Sequence, residues 1–113
     1  RELQLAKAAT AAGVRIVLDL LGASAAEVGR LYLAGAFGNY INRASARRIG
    51  LIDFPEETVH PAGNTALLGA KLALFGTPFA HLRTRVEHLS LAAAPRFQEI
   101  YVEEMNFPVA TPA

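Results

Sequence analysis

The residues with the clearest capacity for chemistry lie in one short run. Leu31-Tyr32-Leu33-Ala34 is apolar throughout, and Gly35-Ala36-Phe37-Gly38-Asn39 follows it directly. A strand followed by a glycine turn and a helix can leave backbone N–H groups free at the turn. Such groups suit a phosphate or another anion. Gly35 and Gly38 carry no Cβ, so a ligand or another backbone can approach closely. The run lacks the Gly-Lys-Ser/Thr of a P-loop and is not the dinucleotide pattern G-x-G-x-x-G. A tight strand-to-helix connection that binds nothing has the same signature, and spacing alone favours that reading because glycine marks turns far more often than ligands. Arg43, Arg47 and Arg48 follow within ten residues. They suit phosphate neutralisation, and equally a wet surface or pairing with carboxylates. A second feature is Gly63-Asn64 before a helix of small residues. Taken alone, Asn64 reads as an N-cap.

Other chemistry has little support in the sequence. His60, His81 and His88 lack metal-ligand spacing, and no cysteine or acidic cluster accompanies them. No nucleophile–base pair stands out, and Asp53, Glu56 and Glu57 read as a solvated loop. The chain of 113 residues suits one small domain, residues 1–113, with 52% apolar residues for its core. A net charge of +1 supplies no footprint for nucleic acid. The absence of cysteine removes disulfides, thiolate chemistry and iron–sulfur ligation from these residues, and fits a reducing compartment. No apolar run approaches the ~20 residues of a membrane span. The chain opens at Arg1 straight into helical sequence, so the expectation is a piece of a longer protein.

These features need elements to hold them. Residues 2–21 predict one helix with an apolar stripe of Leu3, Ala6, Ala9, Gly13, Ile16, Val17 and Leu20, stopped by Gly22. Gly13 within that stripe predicts a closely packed backbone, and Arg15 with Asp19 an i,i+4 pair. Ser24 and Glu27 have capping-box spacing. The all-apolar 31–34 strand predicts burial on both faces. Asn42 or Ser45 caps a short helix through Arg48. Residues 51–63 are irregular, with an extended piece near Thr58–His60. The helix from Thr65 to Phe75 is apolar nearly all round except at Lys71, so it predicts burial and a close neighbour at Gly69. Thr77-Pro78 starts a helix through His88 with Phe79, Leu82, Val86 and Leu89 on one face. Leu89 and Leu91 suit a short edge strand. Pro95 opens a last helix that buries Phe97, Ile100, Tyr101 and Met105, and the tail after Pro108 should fray. The fold class is therefore α/β, rich in helix, with a few short strands.

The order of these segments resembles a known family. Glu2-Leu3-Gln4-Leu5-Ala6-Lys7-Ala8-Ala9 leads into Ala12-Gly13-Val14. Then come Leu31 to Asn42, Arg48-Ile49-Gly50-Leu51, Gly63-Asn64-Thr65-Ala66-Leu67-Leu68-Gly69-Ala70, Pro95-Arg96-Phe97-Gln98 and Phe107-Pro108. Over nearly its whole length the chain resembles the C-terminal region of the reductive activators of corrinoid proteins. These are ASKHA (actin-like, ribonuclease H-like) proteins with an N-terminal 2Fe–2S ferredoxin-like domain. The resemblance implies a C-terminal subdomain of an ATPase that binds ATP, with Mg2+, between two lobes. It implies that Leu33 to Gly38 is the adenosine motif and that Gly63 to Ala70 is the second connecting helix. The implied nucleotide-binding residues are Gly35, Ala36, Phe37, Gly38, Asn39, Gly63 and Asn64, with no catalytic residue and no metal ligand in this segment. It further implies coupling of ATP hydrolysis to reduction of Co(II) corrinoid to Co(I), and a 2Fe–2S cluster outside this segment. The implied partner is a corrinoid protein or its methyltransferase, in a cytoplasmic homodimer without nucleic-acid or membrane contacts. Two other functions remain open: a dimerisation or docking module whose glycine turn stays unoccupied, and another ASKHA member such as a small-acid or sugar kinase.

Overall fold

The structure is a computed structural model and describes residues 1–109. The first helix, α1, spans Glu2–Leu21 and ends where predicted. Gly22 adopts a left-handed conformation (φ 66°, ψ 26°). Its N–H donates to Asp19 O at 3.1 Å and that of Ala23 to Leu18 O at 3.0 Å, so the orphan carbonyls are satisfied in the Schellman manner. Ser24 and Glu27 form the capping box of a single 3₁₀ turn, Ala25–Glu27. The Ser24 N–H bond to the Glu27 carboxylate, followed by the Ser24 side chain, holds Glu27 below its ordinary pKa.

The buried face of α1 is rotated from the predicted stripe. Lys7, Ala8, Ala11, Ala12 and Ile16 are buried, whereas Leu3, Val17 and Leu20 are 54%, 46% and 68% exposed. The helix is apolar over more than one stripe, so periodicity alone does not select the face. The last helix, α5 (Phe97–Glu104), selects it by packing where alanines allow close approach. Ala12, Ile16 and Ile100 form the centre of this core, with Leu89, Leu91, Ala94, Phe97 and Tyr101 around them. Phe97 and Tyr101 stack with ring centroids 5.5 Å apart. The close neighbour of Gly13 is a side chain, not a backbone: a Cβ there would lie 3.2 Å from Leu91 Cδ1. The predicted Arg15–Asp19 pair is absent too. Arg15 instead bridges Glu103 and Glu104 of α5, both at 2.9 Å, and Asp19 accepts from Arg96 at 3.2 Å. Both carboxylates of α5 hydrogen-bond the guanidinium, and Glu103 then Glu104 raise its already high pKa. Part-exposed pairs of this kind add about 1 kcal/mol or less each.

The sheet is built from β1 (Leu31–Ala34) and β2 (Val59–Gly63), which run parallel. Leu31 pairs with Val59, Tyr32 with His60 and Leu33 with Pro61, and an irregularity then places Ala34 opposite Gly63. Along β1, Leu31 and Leu33 are half-buried while Tyr32 and Ala34 are exposed. The expected burial on both faces is therefore not met among the described residues. Instead of a loop, β1 runs directly into α2 (Gly35–Tyr40). Gly35 has φ +87°, and this one residue makes the turn that was expected to take five. The next helix, α3 (Arg43–Arg48), is capped by Asn42, whose Oδ1 accepts from Ser45 N–H at 2.9 Å.

Two predictions about later elements fail for the same reason. The helix α4 (Thr65–Leu74) forms, capped by Asn64, but none of its residues is buried. Leu67, Leu68 and Leu74 are 50%, 54% and 81% exposed, and a Cβ on Gly69 would meet nothing within 4 Å. An all-apolar helix requires a partner, and the described residues do not contain one. Residues 77–88 form no continuous helix, only a 3₁₀ turn at Ala80–Leu82 and turns after it. Their apolar stripe has no surface to bury against, and a helix of under about 12 residues is marginal alone. Leu89 and Leu91 pack on the α1–α5 core and form no strand; Leu91 begins a 3₁₀ turn, Leu91–Ala93. In α5 the cap is Arg96, one residue after Pro95. Ile100 is buried, whereas Phe97, Tyr101 and Met105 are half-buried. The fray expected after Pro108 lies, beyond Val109, outside the described residues.

Ile100 is fully buried at the α1–α5 contact. Ile100→Ala is expected to lower the unfolding free energy by about 2–5 kcal/mol, the range for truncating a packed core side chain. Urea denaturation followed by circular dichroism measures it. Val102→Ala on the exposed side of the same helix is expected to change stability by about 0.5 kcal/mol or less.

Candidate functional site

The two segments singled out in the sequence come together. Because β1 and β2 are parallel and Ala34 lies opposite Gly63, Gly35 and Asn64 leave the same edge of the sheet. The N-termini of α2 and α4 therefore start side by side. In α/β folds the crevice beyond the carboxyl ends of parallel strands is where ligands bind. Both strands leave the sheet through a glycine with positive φ, +87° at Gly35 and +70° at Gly63. A Cβ on Gly35 would project into open space, with nothing within 4 Å. The Nδ2 of Asn39 lies 3.9 Å from the position a Cβ on Gly63 would take, so its amide stands over the second strand end. Ala36, Phe37 and Asn39 are exposed along α2, Phe37 by 76%.

Gly38 and Asn64 have different work from that expected. A Cβ on Gly38 would lie 2.9 Å from both the carbonyl carbon and the oxygen of Leu33, so the missing side chain serves packing of α2 on β1, not ligand approach. The Oδ1 of Asn64 is occupied by Leu67 N–H at 3.0 Å, which makes Asn64 the N-cap of α4 and leaves its NH2 for any further bond. Arg43 is likewise engaged: its Nη1 donates to Val59 O at 2.9 Å and ties α3 to β2. Arg47 and Arg48 are exposed. On the open face of the sheet, Tyr32 and His60 stand with ring centroids 6.0 Å apart, and the Tyr32 side chain raises the pKa of Arg30. Among the described residues no group of three or more His, Cys, Asp or Glu is placed to hold a metal ion.

The open space at Gly35, the Asn39 amide and the starts of α2 and α4 therefore lie together at one edge of the sheet. Sequence reasoning missed a second concavity. A cavity of about 600 Å³ separates α1 from β1 and α2, with Val14, Leu18, Leu33, Phe37, Ile52 and Phe54 among its walls. Lys7, which the helical pattern placed off the apolar stripe, is 1% exposed beside it. A lysine between alanines carries no local signal of burial.

Residues 1–112 match the protein family described as the C-terminal domain of RACo, the ASKHA domain. The chain is also similar to the corrinoid activation enzyme RamQ of Eubacterium limosum, with 35% identity over 112 residues, which is 95% of this chain and 19% of the relative. It thus spans about a fifth of that relative's length. No solved structure matches it. A helix-rich chain with a parallel strand pair, glycine exits from both strands and a family match over its length belongs to the RACo C-terminal ASKHA-domain family.

Proposed function

We propose that this chain is the adenosine-binding part of an ATP-dependent reductive activator of corrinoid proteins. The observation that carries the reading is the meeting of the Gly35 turn and the Gly63-Asn64 turn at one edge of the parallel sheet. Family membership supports it, since an ASKHA domain is a nucleotide-binding architecture. In this reading Gly35, Ala36 and Phe37 line the nucleoside, and Asn39 with the Asn64 amide supplies hydrogen bonds. Gly38 and Gly63 hold the backbone in place. ATP supplies the free energy for the uphill reduction of Co(II) corrinoid to Co(I). Its phosphates and Mg2+ lie against residues outside this chain. Electrons come from a 2Fe–2S domain, also outside it, because these residues include no cysteine ligand. The partner is a corrinoid protein or its methyltransferase, in the cytoplasm, and the similarity to a corrinoid activation enzyme supports that choice over a sugar or small-acid kinase.

A second reading has its own observation. The apolar surface of α4 is uncovered, which suits a dimerisation or docking module. Nucleotide binding by the intact protein separates the two.

Calorimetry of ATP and ADP with the intact protein is the test. Binding is expected, and Gly35→Val should weaken it by more than about tenfold, or ~1.4 kcal/mol. The control is Gly76→Val, another positive-φ glycine (+92°) with open space around it. It imposes a similar backbone strain away from the crevice and should leave affinity unchanged. An intact protein that ignores nucleotide would overturn the ATP reading in favour of the docking module. Equal losses in both variants would assign the effect to strain.

A further inference from the structure

The chain after α5 turns back across the N-terminal half of α1, and every described side-chain tether on it comes from that helix. Gln4 Nε2 donates to Met105 O at 3.4 Å, and Lys7 Nζ donates to Asn106 O. The ammonium also lies 5.6 Å from the centre of the Phe107 ring, a cation–π contact. Pro108 rests on Gly50: a Cβ there would be 3.1 Å from Pro108 Cγ and 3.2 Å from Lys7 Nζ. Three segments distant in sequence thus converge on one ammonium. Asn106, Phe107 and Pro108 at the same time form part of the wall of the 600 Å³ cavity between α1 and β1.

Lys7 is 1% exposed, and no carboxylate among the described residues lies within ion-pair distance of it. Burying an ammonium without a counter-charge is costly. One carbonyl and one ring face offset only part of that cost. Lifting residues 105–108 would return the ammonium to water, so hydration of Lys7 favours the open form while the tethers and the apolar contacts of Phe107 and Pro108 favour the closed one. Phe107 is already 45% exposed, so opening returns only the remaining part of its surface to water. Segments held by few contacts open locally, without global unfolding.

We propose that residues 105–108 are a strap that opens as a unit over the cavity between α1 and β1, with Lys7 as its clasp. The closed strap buries Lys7 and completes the cavity wall; the open strap exposes both.

The sequence supplies its own reporter, because Lys7 and Lys71 are the two lysines in it and Lys71 is exposed. Acetylation of the full chain, read residue by residue by mass spectrometry, is compared with hydrogen exchange of the Ile100 amide in the core. Lys7 is expected to be acetylated more slowly than Lys71 but faster than opening at Ile100 permits. Phe107→Ala should speed Lys7 about tenfold with Lys71 and Ile100 unchanged, the pattern of a local opening. Lys7 reacting only in step with Ile100 in the unmodified chain would overturn the strap. So would a Phe107→Ala variant that leaves Lys7 unchanged, or one that accelerates Lys7 and Ile100 together.

Discussion

The site depends on how closely α2 can lie against the strand that precedes it. Gly38 sits where a Cβ would come within 2.9 Å of the Leu33 carbonyl, a distance real Cβ atoms do not tolerate. Only because that atom is missing can the chain reverse at Gly35 and fold helix onto strand without a loop. The reversal places Asn39 over Gly63 of the neighbouring strand. That contact, with the parallel register of Ala34 on Gly63, brings two turns nearly thirty residues apart in sequence to one crevice. The Arg43 bond to Val59 O then ties the following helix to the second strand. A residue first read as making room for a ligand therefore makes room for backbone, and the open space lies at Gly35.

A second packing contact orders the rest. Alanines on α1 let α5 lie close, and Ile100 fills the space between them. The α1–α5 pair and β1 with α2 face one another across the 600 Å³ cavity. Lys7 stands where residues 106–108 cross from one part to the other. A buried ammonium is an unusual choice for such a joint, since an apolar side chain of similar volume would avoid its desolvation. A clasp that water can reclaim is consistent with a joint that opens.

The uncovered surfaces share a physical origin. The helix α4 has the composition of a buried helix and the exposure of a surface one, and residues 77–88 have a helical stripe without a helix. Both patterns specify contacts that the described residues do not make. The chain matches about a fifth of the length of its relative RamQ. Hydrophobic burial is non-directional, so an apolar stripe states that a partner is needed without saying which one.

Much of this architecture was legible in the sequence. Glu2–Leu21, Leu31–Ala34, the caps at Asn42 and Asn64, the Ser24–Glu27 capping box and the last helix are encoded locally. Helical period, side-chain caps and glycine stops act within a few residues of the bonds they make. Gly35 and Gly63 take positive φ, a conformation that glycine adopts without a Cβ penalty. Tertiary structure decided the rest. It chose which face of α1 is buried, redirected Arg15 from Asp19 to Glu103 and Glu104, assigned Gly38 to packing and Arg43 to a backbone carbonyl, and buried Lys7. Each of these depends on which group stands opposite, and that is set by chain segments dozens of residues away, whose approach no local pattern records.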